Sequence, residues 1–300
     1  MRIIPTGGVL GARIEGIDLA QPLPEAAFAA VLRALAAHGV LCFPGQDLTP
    51  AQQVAFSRRF GTLEVHVSGA FQDQAHPEVM ILSNLRENGR PIGLADAGQD
   101  WHTDMSFSAM IAFVNVLHAR VVPRRDGRAL GETRFASMAA AYDTLPAAMR
   151  ARLGGLTARH DFAKFWDMMR ERNAADTSRR PLTAAQRRAK PPVSHPMVLT
   201  HPISGRRSLY ADPGYTVGVD GIDPAEGAAL LEFLFAHQLR PEFQWAHSWT
   251  EGDVLLWDNL QTLHYAVPDY GPDEPRLVRR CQAMADLVLG GAFREAVADG

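Results

Sequence analysis

No run of 18 apolar residues occurs in this 300-residue chain, so no segment reads as a transmembrane helix. A basic start followed by an apolar stretch is also missing from the first residues, and the expectation is a cytoplasmic protein. Cysteine is scarce. Cys42 and Cys281 are the only two, both in apolar or β-like surroundings, which excludes a disulfide framework and reads as buried free thiols in a reducing compartment. Excess charge is missing as well: a formal net charge of −3 gives no electrostatic reason to expect a nucleic-acid or anionic-membrane partner. There is no internal repeat and no Gly/Ser-rich linker, so the chain reads as one domain over residues 1–300. The partner expected is a small molecule. The sequence does not set the oligomeric state, and a homo-oligomer is compatible with it.

Residues 8–20 mix alternating apolar positions with glycines, as short strands and turns do. Pro24 to His38 carries Phe28, Val31, Leu32 and Leu35 at helical spacing, with Gly39 as a stop. Val40 to Phe43 reads as a buried strand, and Thr49-Pro50 starts a second helix that runs through Phe60. Val79 to Leu82 and Ala112 to Ala119 read as strands, and Ala136 to Leu153 as helix. Residues 155–195 are polar and dotted with aromatics, without a clear period, which suits an active-site cover near 160–195. The basic stretch from Arg179 to Lys190 falls inside it and reads as a solvated loop or lid. Strand patterns return at Met197–Thr200, Ser208–Ala211, Asp253–Trp257, Leu260–Ala266 and Leu277–Leu289, interrupted by a helix from Pro224 to His237. Many short strands with a few helices outside them predict a mostly β protein with flanking helices, a sandwich or jelly roll.

His102 and Asp104 lie two positions apart, so on an extended segment both side chains share a face. With His264 they make two imidazoles and one carboxylate, the donor set that holds non-heme Fe(II) on one face and leaves positions open. A His-x-acid match alone carries little, because His76-Pro-Glu78 fits it too. That second match sits in a turn with proline between the donors and is set aside. A hydrogen-bonded, partly buried histidine is the ordinary alternative for His102.

Along Arg276-Leu-Val-Arg-Arg280-Cys-Gln282, period two puts Arg276, Val278, Arg280 and Gln282 on one face and Arg279 on the other. Inward arginines in a core strand are costly unless they meet an anion. A guanidinium suits a planar carboxylate through two parallel hydrogen bonds, so a bound dicarboxylate accounts for them. An internal Arg–Asp pair is the ordinary alternative.

The chain resembles the taurine dioxygenase / 2,4-dichlorophenoxyacetate dioxygenase (TauD/TfdA) family of Fe(II)- and 2-oxoglutarate-dependent oxygenases. The likeness runs nearly end to end. It rests on Gly11-Ala-Arg-Ile-Glu-Gly-Ile-Asp18, Phe56-Ser-Arg-Arg-Phe-Gly61, Trp101-His-Thr-Asp-Met-Ser-Phe107, His201-Pro-Ile-Ser-Gly205, Trp257-Asp-Asn259 and Arg276 to Arg280. The resemblance implies a double-stranded β-helix, a cupin-like jelly roll, with His102, Asp104 and His264 as iron ligands. It implies Thr133 and Arg276 as contacts to 2-oxoglutarate, and His66 and Arg280 at the substrate's anionic group, Arg280 also near the C1 end of 2-oxoglutarate. O2 is the other co-substrate it implies, with succinate and CO2 as products and a hydroxylated small anion such as a sulfonate, sulfate ester or carboxylate. Phe162, Phe165, Trp166 and Tyr215 are candidates for the pocket wall, with simple core packing as the alternative for each.

The chain departs from the family in places. Leu130-Gly-Glu-Thr133 replaces the usual Gly-Gly-Asp-Thr, and Arg124 to Arg128 lengthens the loop before it. Gly98-Gln99-Asp100 stands where taurine binders carry an asparagine, and Asp212 replaces a frequent asparagine. Two other classes stay open: a metal-dependent jelly-roll hydrolase or isomerase, which has no need of Arg276, and a non-catalytic sensor of a 2-oxoglutarate-type ligand, which tolerates loss of a metal ligand.

Overall fold

The structure is a computed structural model that describes residues 1–65, 71–172, 180–294 and 297. Seven strands form its major sheet, in the order Arg2–Pro5, Ala12–Glu15, Val40–Phe43, Val254–Asp258, Ala112–Val121, Leu277–Met284 and Met80–Ser83. Every neighbouring pair is antiparallel except Ala12–Glu15 with Val40–Phe43. A minor sheet sets Thr133–Ser137 between Gln244–His247 and Thr262–Ala266.

Strand alternation divides the core. Along Val254–Asp258, Leu255 and Trp257 face the minor sheet and pack with Leu117, Phe135 and Val278. Val254 and Leu256 face the other way, onto Val31, Leu35, Phe43 and Val116. This is the period-two pattern of a strand buried on both faces. The helix that covers the second face, Glu25–His38, buries Phe28, Val31, Leu32 and Leu35. It ends at Gly39, whose φ of 70° is left-handed and where a Cβ would lie 2.7 Å from Leu10 Cδ2, so glycine suits both the turn and the contact. Thr49 caps the next helix, Pro50–Ser57, in a reciprocal box with Gln52. The two faced sheets with helices outside are the jelly roll expected.

The chain differs from the expected elements in three places. Residues 136–153 are not one helix. Thr133–Ser137 is a strand, with Phe135 fully buried between the sheets. The helices Met138–Asp143 and Ala147–Leu153 follow on either side of Pro146, which cannot donate a helical hydrogen bond. The last strand stops at Met284, and Asp286–Leu289 is a helical turn. Residues 155–195, unassigned from pattern, contain the strands Thr157–His160 and Val193–Pro196 and the helices Phe162–Arg172 and Ala184–Ala189 among the described residues. No helix among the described residues is long and apolar enough to cross a membrane.

Candidate metal centre

His102 and His264 meet as an isolated antiparallel bridge. The His102 N–H donates to the His264 carbonyl at 3.1 Å, and the His264 N–H returns the bond at 2.8 Å. That backbone pair brings the rings to 4.1 Å between centroids. Asp104 does not continue an extended segment, as the two-residue spacing suggested. The chain turns there, and Met105 is left-handed at φ 59°. Asn259 holds the turn: Thr103 Oγ1 donates to its carbonyl at 2.8 Å and the Asp104 N–H to its Oδ1 at 3.3 Å.

The result is a converging set. His102 Nε2 lies 3.5 Å from Asp104 Oδ1, and His264 Nε2 lies 3.8 Å from Asp104 Oδ2. Those separations are too long for good hydrogen bonds and suit three donors arranged about one ion. All three side chains are buried. The Asp100 carbonyl sits 2.7 Å from His102 Nδ1, which fixes the proton there and leaves Nε2 as the donor. Burial drives the His264 imidazole well below its usual range, so it is a neutral donor. Burial opposes ionisation of Asp104, but Arg280, together with both histidines, outweighs it and holds the carboxyl well below the usual carboxylate range. Two imidazoles and an ionised carboxylate fit a divalent cation that accepts nitrogen and oxygen ligands. His76-Pro-Glu78 forms no such group: Glu78 is paired with Arg58.

Around this set the structure supplies residues the sequence reading missed. Asn115 Nδ2 donates to Asp104 Oδ2, and Asn115 Oδ1 accepts from Gln282 Nε2 at 3.0 Å. The available signal was a lone asparagine inside the apolar run Ala112–Ala119, where a buried polar side chain needs a partner. Gly214 is pressed against the site: a Cβ there would lie 2.9 Å from His102 Cβ and 3.0 Å from Phe165 Cδ2. Phe165 and Tyr215 are buried beside the His102 ring, at 5.0 and 6.0 Å between centroids. Phe162 and Trp166, in the same helix, are half-buried. Arg172, at the end of that helix, pairs with Asp100 at 2.7 Å.

Thr133 is buried on the strand beside His264, its Oγ1 accepting from Trp249 Nε1 at 3.0 Å. Arg276 is buried, with its guanidinium 5.7 Å from the Tyr270 ring centroid, and among the described residues it makes no ion pair. The same Tyr270 ring lies against Gly131, two residues before Thr133. The lengthened loop before Thr133 is a small hairpin, turned at Asp126 and Gly127 with φ of 50° and 78°. Arg125 ties it to Glu274 with two bonds of 2.6 Å, next to Arg276. Arg280 is in part the internal pair weighed as an alternative: its Nη1 lies 3.5 Å from Asp104 Oδ2. Val278 and Gln282 share its face, as period two required. His66 lies outside the described residues.

The family model "Taurine catabolism dioxygenase TauD, TfdA family" matches residues 2–282. The chain is 33% identical to pentalenolactone F synthase of Streptomyces avermitilis, over 93% of this chain and 92% of that one. It is likewise 33% identical to the alpha-ketoglutarate-dependent 2,4-dichlorophenoxyacetate dioxygenase of Cupriavidus pinatubonensis, over 95% and 98%. Among solved structures it is similar to AAD-2 in complex with Mn(II) and N-oxalylglycine, with TM-score 0.78, 30% identity, and coverage of 94% of this chain and 98% of that one.

Proposed function

The chain belongs to the TauD/TfdA dioxygenase family, and on that premise we propose that it hydroxylates a small anionic organic molecule, using Fe(II), 2-oxoglutarate and O2. The enzyme is a 2-oxoglutarate-dependent dioxygenase; the metal's identity, the substrate class and the residue roles are the content of the proposal. His102, Asp104 and His264 would hold the iron. Bound there, it supplies the oxygen chemistry that couples decarboxylation of 2-oxoglutarate, to succinate and CO2, with insertion of a hydroxyl into the substrate.

The protein's own residues position and exclude. Arg276 would grip the distal carboxylate of 2-oxoglutarate, with the Thr133 hydroxyl beside it, because a buried guanidinium without a protein carboxylate is costly unless an anion meets it. The observation that carries the reading is this buried Arg276, without an ion-pair partner among the described residues and tied through Tyr270 to the strand that neighbours His264. A hydrolase or isomerase would have no use for it, and a sensor would not need three intact donors. Arg280, which faces Asp104, would meet the substrate's anionic group and the C1 end of 2-oxoglutarate, with His66 as its companion. Phe162, Phe165, Trp166 and Tyr215 would wall the apolar part of the substrate. Residues 1–300 would act as one domain, with residues near 160–195 as the lid that keeps water from the reacting atoms.

The test is a panel of sulfonates, sulfate esters and carboxylates assayed for succinate release with Fe(II) and 2-oxoglutarate. Succinate formed in step with one acid, and lost without iron, is the expected result. Turnover of a panel member that proceeds with zinc and no 2-oxoglutarate would refute the proposal.

A further inference from the structure

A second group of metal-ligating side chains lies at another place in the sandwich. Cys42 belongs to Val40–Phe43, His247 ends Gln244–His247, and Asp253 directly precedes Val254–Asp258. Leu255 lies opposite Cys42 in the major sheet. Asp253, two positions back, therefore shares its face as a diagonal neighbour. His247 reaches them from the edge of the minor sheet, where it pairs with Thr133. All three are more than nine-tenths buried, and their donor atoms lie within 4.8 Å of one another. His247 Nε2 is 3.1 Å from Asp253 Oδ2, and the Thr250 N–H, at 2.9 Å, holds the same oxygen in place.

The charge balance is what needs explaining. Asp253 is buried, and among the described residues no lysine or arginine pairs with it. Arg13, beside Cys42 in the sheet register, turns its guanidinium to Glu15 at 2.8 Å instead. A divalent cation would balance the buried carboxylate and take the deprotonated thiol as a ligand. One sulfur, one imidazole nitrogen and one carboxylate oxygen suit a borderline-soft ion in tetrahedral coordination, with water as the fourth ligand. Two such ligands at about 2.1 Å from the ion stand roughly 3.4 Å apart, near the separation of His247 and Asp253.

We propose that Cys42, His247 and Asp253 form a second metal site that takes a zinc-type divalent cation, independently of the His102–Asp104–His264 centre. The two are separable by chemistry, because only the second contains sulfur.

Titration of the metal-free protein with Co(II) tests this, followed by the near-ultraviolet sulfur-to-cobalt charge-transfer band and by metal content after desalting. The wild type is expected to take up a second equivalent together with that band. Cys42→Ser should lose the band and the second equivalent while keeping the first and keeping dioxygenase turnover. His102→Ala should lose the first and keep the band, so failure of the iron assignment is told apart from failure of this one. Should Cys42→Ser not fold, His247→Gln serves in its place, with loss of the second equivalent as the readout. A wild type that shows no sulfur band overturns the proposal. So does a band that survives Cys42→Ser, which would place the sulfur on Cys281.

Discussion

The side-chain amide of Asn115 donates to Oδ2 of Asp104 at 2.5 Å, the same oxygen that Arg280 approaches from 3.5 Å. Its own oxygen is occupied by Gln282, so the amide cannot rotate without loss, and the carboxylate is aimed from behind. Asn115→Ala is expected to weaken Fe(II) or Mn(II) binding roughly 10- to 100-fold, the usual cost of a lost outer partner. Isothermal titration with Mn(II) measures it. An affinity equal to wild type would remove Asn115 from the site.

Arg276 separates co-substrate binding from metal binding. Arg276→Ala should raise the KM for 2-oxoglutarate by about 2–5 kcal/mol of lost binding, with metal affinity unchanged. Arg276→Lys should recover only part, because an ammonium lacks the paired donors. Unaltered 2-oxoglutarate dependence in the alanine variant would remove the assignment.

Gly214 leaves no room for a methyl between His102 and Phe165. Gly214→Ala is expected to destabilise the metal-free protein by about 1–3 kcal/mol through overpacking and to lower turnover as His102 is displaced. Thermal melting and steady-state assays check both. A wild-type melting temperature with full turnover would show that the turn yields instead.

The Arg172–Asp100 pair joins the end of the helix Phe162–Arg172 to the residue whose carbonyl meets His102 Nδ1. It is substantially exposed, so it should contribute less than about 1 kcal/mol to stability. If that helix is a lid, Arg172→Ala should raise the KM for the primary substrate and leave the KM for 2-oxoglutarate alone. Equal changes in both would argue against the lid.

His118 provides a pH signature away from the metal. It is fully buried, with Nε2 3.1 Å from the Gln46 carbonyl and, among the described residues, no partner for Nδ1. Burial is the main cause that holds it below the usual imidazole range. With the folded value below the unfolded one, acid protonates the unfolded chain first. Its contribution to stability is therefore present above the unfolded value of about 6.5 and is lost as the pH falls toward the folded value. His118→Gln, whose amide still reaches Gln46, should flatten the fall in Tm between about pH 7 and about pH 5.5. An unchanged slope would assign the titration to another group.

Much of the fold follows from short-range pattern. The spacing of Phe28, Val31, Leu32 and Leu35 specified a helix and Gly39 its end. Alternation in Leu277–Met284 put Arg280 and Gln282 on one face, as observed. Where pattern misled, a local signal yielded to tertiary burial: Ala136 and Ser137, read as the start of a helix, instead close the strand Thr133–Ser137, whose Phe135 fills the space between the sheets. Pro146 then divided what remained.

The sequence by itself determined which chemistry was available: two imidazoles, a carboxylate and inward arginines, in motifs recognisable without coordinates. Tertiary structure alone decided how those groups meet. The turn at Met105 aims Asp104, Asn115 holds its Oδ2, Arg280 shares its charge, and Gly214 lets the Phe165 helix close on His102. The same holds for Cys42, His247 and Asp253, which no spacing rule connects. Residue type and period act over a few positions along the chain. Convergence of distant donors depends on strand register and on where each turn sends the backbone, and those are set by packing across the whole sandwich.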